Sequence, residues 1–174
     1  YEGITAKTGF SYSFWIKPDT SVGSYSRAIS SADNSSSNEF AFAPYASDKV
    51  WNVLFDDTNV VRAPMPAEPS KDVWSFVTFT VSADEVTFYI NGEEQGTYAD
   101  STNLTKRLNS METLVKNALG RTCSNWSDPD AKIKLDDVCL YKTALTQDEV
   151  VSIAKEQGLE AVSYTHLTLP TIRL

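Results

Sequence analysis

The sequence predicts an all-β protein, an antiparallel two-sheet β-sandwich (jelly roll) with one short C-terminal helix. Three observations carry this. The dominant hydrophobic period is two rather than 3.6, as expected of half-buried strands. Turn-forming residues punctuate the chain between those runs. Only one segment, near the C-terminus, carries both start and stop signals for a helix.

The strands follow in order. Phe10, Tyr12, Phe14 and Ile16 alternate with Ser11, Ser13, Trp15 and Lys17, and Pro18-Asp19 ends the run. Residues 21–38 are rich in Ser, Gly and Asn and read as loop, with a short strand at 28–30. Strands are predicted at 39–43 and 50–55, separated by a turn at 44–49. Pro64, Pro66 and Pro69 cannot donate to a regular ladder, so that stretch reads as an extended crossing loop. Residues 74–81 alternate with Val77, Phe79 and Val81 on one face. Residues 86–90 alternate again and meet Asn91-Gly92, a strong hairpin signal because both residues tolerate positive φ. The return strand is predicted at 93–98. Strands at 114–121 and 132–141, joined by the loop 122–131, are predicted to form a second hairpin.

The helix begins at a capping box, Thr146 and Glu149, flanked by Leu145 and Val150 as a hydrophobic staple. Val150, Ile153 and Ala154 form its apolar stripe, and Gly158 is placed to close it.

Length and composition narrow the functions. A chain of 174 residues allows one domain. Its 41% hydrophobic content supports a real core. The 15 Lys+Arg against 23 Asp+Glu give a net charge of -8, which argues against a nucleic-acid partner. No run approaches the ~18–20 apolar residues of a membrane span, so no membrane insertion is expected. The only histidine is His166, in a terminal segment, so His-based nucleophilic or zinc sites are disfavoured. Carboxylates remain for metal binding or acid–base work.

Five segments resemble, in order, the laminin G-like domains of the concanavalin A-like lectin/glucanase class. These are Phe10-Ser-Tyr-Ser-Phe-Trp-Ile-Lys-Pro-Asp19, Trp74-Ser-Phe-Val-Thr-Phe-Thr-Val81, Val86-Thr-Phe-Tyr-Ile-Asn-Gly-Glu93, Leu119-Gly-Arg121, and Ile133-Lys-Leu-Asp-Asp-Val-Cys-Leu-Tyr141 followed by Ala144-Leu-Thr-Gln-Asp-Glu-Val150. The resemblance spans almost all of residues 1–160. It implies two packed antiparallel sheets of about six to seven strands each. It also implies a non-catalytic recognition module of a larger secreted or cell-surface protein, binding glycan or polysaccharide. A protein-binding adhesion or structural spacer domain is the alternative, and a glycoside hydrolase-related enzyme the remote one. Covalently linked neighbouring domains are expected, and an extracellular or cell-surface location.

The domain is assigned to residues 1–162. Such domains usually open with one or two further strands, and the chain starts at Tyr1 without Met, so an N-terminal strand is expected to be missing. Residues 163–174, SYTHLTLPTIRL, resemble translated sequencing-adapter read-through; a native strand or linker is the alternative.

Site expectations are specific. Glucanase relatives carry an E-x-D-x-x-E string that is absent here, and Glu93-Glu94 after a tight turn reads as solvated, so no enzyme activity is expected. Trp126 lies in a polar loop beside Asn125 and Asp128, suited to stacking a sugar and bonding its hydroxyls; packing over the sheet is the alternative. Trp15, Trp74 and Tyr89 read as packing residues. Calcium is the metal the resemblance implies, with at least one of Asp128, Asp130, Asp136 and Asp56-Asp57 as ligand; a turn-forming role for these acids is the alternative. Cys123 and Cys139 form a disulfide or remain free thiols; in the predicted hairpin Cys139 faces Lys116, which argues against the bond. The Asn34, Asn103 and Asn125 sequons carry little weight in so Ser/Thr-rich a chain.

Overall fold

Alternation along β1, Phe10–Pro18, sends Phe10, Tyr12, Phe14 and Ile16 to one face, and all four are buried. The computed structural model describes residues 1–34, 37–45 and 50–159. The terminal segment assigned above to a non-native tail lies outside them. The other strands are β2 Ile29–Ala32, β3 Glu39–Tyr45, β4 Val50–Phe55, β5 Val61–Pro64, β6 Ser75–Val81, β7 Glu85–Ile90, β8 Glu93–Ala99, β9 Lys116–Leu119 and β10 Ile133–Tyr141. Two helices, α1 Ser101–Leu108 and α2 Gln147–Glu156, and a 3-10 turn at Met111–Thr113 complete the described elements.

The strands form two sheets of five, in the orders β10-β1-β6-β7-β8 and β5-β4-β3-β2-β9, with every pairing antiparallel. The expected two-sheet sandwich is present, with five strands per sheet among the described residues rather than six or seven. Its core is aromatic. Phe42 stacks on Phe79 across the sheets at 5.4 Å and on Trp51 at 4.9 Å. Phe40 meets Phe10 and Phe55 at 5.2 Å each. Offset and edge-on aromatic pairs add attraction beyond the area they bury.

Three expectations need correction. The second hairpin does not exist: β9 pairs with β2 in one sheet and β10 with β1 in the other. Residues 120–132 therefore cross between sheets. The Pro-rich stretch contains a strand, β5, because at a sheet edge Pro64 forfeits no ladder bond. The C-terminal helix is joined by α1, capped by the Asp100 carboxylate accepting from the Asn103 N–H. Its inner face is Leu104, Leu108 and the buried Arg107. An arginine in the stripe hides the apolar period.

α2 is as expected. Thr146 and Glu149 form the reciprocal capping box, and Val150 and Ala154 are buried. The helix packs beside the Asn91-Gly92 turn, and its C-terminal Gln157 accepts a 2.8 Å hydrogen bond from the Trp15 indole.

Candidate functional site

Paired residues share a face of a sheet, so register places the site. Opposite Ala41 on β3 stand Leu54 on β4 and Ser30 on β2, and opposite Leu54 stands Arg62 on β5. These, with Glu39, Ala43 and Tyr45, form the outer face of the second sheet, away from the aromatic core. Ala41, Ala43, Leu54, Ser30 and Glu39 are nonetheless fully buried.

The crossing segment 121–130 covers that face. Its base is closed by the Ala131 N–H donating to the Gly120 carbonyl at 2.7 Å. The Thr122 hydroxyl donates to Glu39 Oε1 at 3.2 Å, and the Cys123 N–H donates to Ser30 Oγ at 3.1 Å. Arg27 then ties the far side. Its Nη2 lies 3.0 Å from Glu39 Oε2 and 3.1 Å from Asp128 Oδ2, and its Nη1 donates to the Tyr25 carbonyl. Arg27 is 3% exposed and Glu39 is 0%.

Between this loop and the sheet edge lies a hollow of about 310 Å³ lined by Tyr25, Arg27, Tyr45, Asp56, Arg62, Trp126 and Asp128. Three aromatic rings wall it. Tyr25 meets Tyr45 edge-on at 5.1 Å, and the Trp126 indole is 51% exposed. The Arg62 guanidinium lies 4.6 Å over the Tyr45 ring and 2.5 Å from Asp56 Oδ1. Its Nη1 is buried and has no hydrogen-bond partner among the described residues.

The charges have physical causes. Burial pushes the Asp128 carboxyl above the ordinary carboxylate value; Arg27 pulls it down, while Glu39 and Asp56 add to the rise. Burial opposes the charge on Arg62, but Tyr45 and Asp56 more than offset this and hold it above its usual value. Burial raises the Cys123 thiol, which Ser30 partly counters by hydrogen bonding.

The structure brings Trp126 and Asp128 together in one hollow. Asn125 and Asp130, on the same loop, are exposed and do not line it. Asp136 lies elsewhere, on β10 of the first sheet opposite Trp15. Calcium needs about six to eight oxygen ligands. Asp128, Asp130 and Asp136 do not fit one such site: Asp128 already faces a guanidinium, and Asp136 belongs to the other sheet. Among the described residues no group of three or more His, Cys, Asp or Glu is placed to hold a metal ion. Cys123 and Cys139 are both free, because one sits over the second sheet and the other on β10 of the first.

Four wall residues escaped the sequence reading: Tyr25, Arg27, Tyr45 and Arg62. Arg62 carries a signal, a lone cation between Val61 and Ala63. Tyr25 carries another, an aromatic ring in a Gly/Ser loop at φ +63°.

A second, shallower hollow of about 330 Å³ lies on the first sheet, lined by Trp15, Trp74, Asp136 and Asp137. Trp74 is 42% exposed there, so it is not the packing residue its strand position suggested, whereas Tyr89 is buried.

Two antiparallel five-stranded sheets packed over an aromatic core define a β-sandwich of the jelly-roll class. A laminin G-type family model of the concanavalin A-like lectin/glucanases superfamily matches residues 2–151, and the chain belongs to that family. Among solved structures the chain is similar to domain 4 of AbnA, a GH43 extracellular arabinanase from Geobacillus stearothermophilus, in complex with arabinotriose. That match has a TM-score of 0.67 and 22% identity, covering 84% of this chain and 66% of that one. It is also similar to the NanB sialidase of Streptococcus pneumoniae, with a TM-score of 0.66 and 18% identity over 83% of this chain and 24% of that one. A Trypanosoma rangeli sialidase in complex with sialic acid matches at a TM-score of 0.57 and 13% identity, over 88% and 24%. The chain thus spans under two thirds of the domain and about a quarter of the sialidases. No curated protein sequence matches it significantly. No described helix is long and apolar enough to cross a membrane.

Proposed function

We propose that this domain is a non-catalytic carbohydrate-recognition module of a larger extracellular protein, and that the hollow on the second sheet is its binding site. The observation that carries the reading is the convergence of Tyr25, Tyr45 and Trp126 with two carboxylates on a volume of about 310 Å³. Aromatic faces take the apolar faces of sugar rings, and fixed carboxylates accept from hydroxyls. A relative of the same fold holding arabinotriose supports it.

Asp56 and Asp128 both line the hollow, and a glycosidase would also need two carboxyls there, roughly 5–10 Å apart. We read both as recognition groups because each is paired with a guanidinium, which leaves neither free as nucleophile or base. Protein binding is the second reading, and Val73 and Trp74 favour it, being 54% and 42% exposed just before β6 at the first sheet.

The test is a glycan and polysaccharide panel on the full chain, with calcium and with chelator, followed by Trp126→Ala. Binding that survives chelator and falls at least tenfold in Trp126→Ala supports the reading. Binding lost with chelator adds a calcium site to the reading. No binding by folded protein removes the carbohydrate reading and favours an adhesion role. Release of new reducing ends, abolished in Asp128→Asn, would make the domain an enzyme.

A further inference from the structure

We infer that the hollow selects neutral saccharides and rejects acidic ones such as sialosides and uronides. The inference rests on the carbohydrate reading above and names the ligand class for that site.

The charge count comes first. Arg27 and Arg62 are the cations, and Glu39, Asp56 and Asp128 are the anions around them. Three carboxylates against two guanidiniums leave one formal negative charge, in a chain whose net charge is -8. An anionic ligand is repelled both locally and at long range.

Geometry tightens the argument. Recognition of a sugar carboxylate typically uses a guanidinium presenting two parallel N–H groups. Arg27 has none to present. Its Nε and Nη2 face Glu39, Nη2 also faces Asp128, and Nη1 donates to Tyr25. Arg62 has committed Nη2 to Asp56 and its face to Tyr45, and its Nη1 is buried, so it offers no parallel pair of Nη groups to the hollow. The remaining polar wall is Asp56 and Asp128, 14% and 21% exposed at the side chain. Both need donors. A sugar hydroxyl can donate to either carboxylate. A ligand carboxylate at neutral pH has no proton to give, so it leaves their remaining lone pairs desolvated and adds like-charge repulsion, at a cost of several-fold to a hundredfold in affinity.

Asp56 is the residue that enforces the selection, because it cancels the one guanidinium at the edge of the hollow. Removing its charge should convert Arg62 into an anion-binding group.

The test is calorimetric titration of the full chain with arabinotriose, cellotriose, 3′-sialyllactose and trigalacturonate, at low and at physiological salt. The expected result is binding of at least one neutral trisaccharide, at least tenfold tighter than either acidic one. Asp56→Asn should raise acidic-sugar affinity relative to neutral by fivefold or more, and Asp128→Asn should move the ratio the same way. Thermal melting checks that each variant folds, and either variant suffices. Acidic sugars binding as tightly as neutral ones, with loss in Trp126→Ala, would overturn the selection while leaving the carbohydrate reading intact. A ratio unmoved in both folded variants would also overturn it. No saccharide binding at all would overturn both.

Discussion

Arg27 Nη2 and Asp128 Oδ2 are 3.1 Å apart, and that ion pair ties the loop carrying Trp126 to the sheet behind it. Arg27 reaches backward as well, 3.0 Å to Glu39, which is fully buried. One guanidinium thus orders both the floor and the rim of the hollow. The two contacts differ in energetic weight. The Arg27–Glu39 pair is withdrawn from water, whereas Asp128 is partly solvated, so its share is reduced by screening.

Arg27→Met should therefore be severe. It strands Glu39 as an uncompensated buried charge and releases the loop, at a cost of about 3–5 kcal/mol. Asp128→Asn should cost no more than about 1 kcal/mol, since it keeps a hydrogen-bonding group at a partly exposed position. Urea unfolding of the two variants checks the contrast. Equal losses would show that the buried pair is not the dominant contact.

Trp126→Ala should separate binding from folding. The indole is 51% exposed, so stability should change by less than about 0.5 kcal/mol. Sugar affinity should fall at least tenfold, or about 1.4 kcal/mol. Paired melting and titration measurements on the same preparation read both. A large drop in stability would make Trp126 a packing residue, the alternative open from its sequence position.

What could be read in the sequence was what local chemistry decides. β6, β7 and the Asn91-Gly92 turn follow from alternation and positive-φ tolerance, and α2 from its capping box. Trp126 stood out as a lone aromatic in a polar loop. Partner choice is not local. β9 and β10 are consecutive strands, of 4 and 9 residues, yet each pairs with a strand more than 80 residues away. A hairpin was the simplest reading, and the crossing loop refuted it. α1 was missed because Arg107 fills its buried stripe; that side chain donates 3.1 Å to the Thr58 carbonyl and 2.7 Å to Asn38 Oδ1. The hollow draws on five separate parts of the chain, and only the sheet register brings Tyr45 and Arg62 beside Trp126.

Gly92→Ala tests the packing of α2 on the first sheet. Gly92 has φ +84°, and an added Cβ would lie 2.8 Å from the Ala154 Cβ. Left-handed backbone costs an L-residue about 1–2 kcal/mol, and the contact forces the helix outward. A loss of about 2–4 kcal/mol is expected by chemical denaturation, with sugar affinity unchanged because the hollow is on the other sheet. Unchanged stability would mean that the turn and helix shift apart freely.

The pH dependence of binding should separate from that of folding. Burial raises the Asp128 carboxyl above its ordinary 3.8, against the pull of Arg27 and with the push of Glu39 and Asp56. Its ionised form accepts ligand hydroxyls, so binding is full at neutral pH. Binding should be lost as pH falls, with a midpoint above 3.8. For stability the sign is opposite. A raised folded-state value favours the protonated native form, so the contribution of Asp128 is present at low pH and is lost as pH rises through that value. Glu149 at the α2 cap and Asp19, bonded to Ser21, are shifted down instead. Their contributions hold above the ordinary 4.5 and 3.8 and disappear as pH falls. As pH falls from 7, sugar binding should thus weaken before the melting temperature drops. Asp128→Asn should flatten the binding profile and leave the acid limb of the stability curve in place. Titrations and melts at matched pH values read the two curves, and coincident midpoints in the unmodified protein would place the binding loss in unfolding rather than in Asp128.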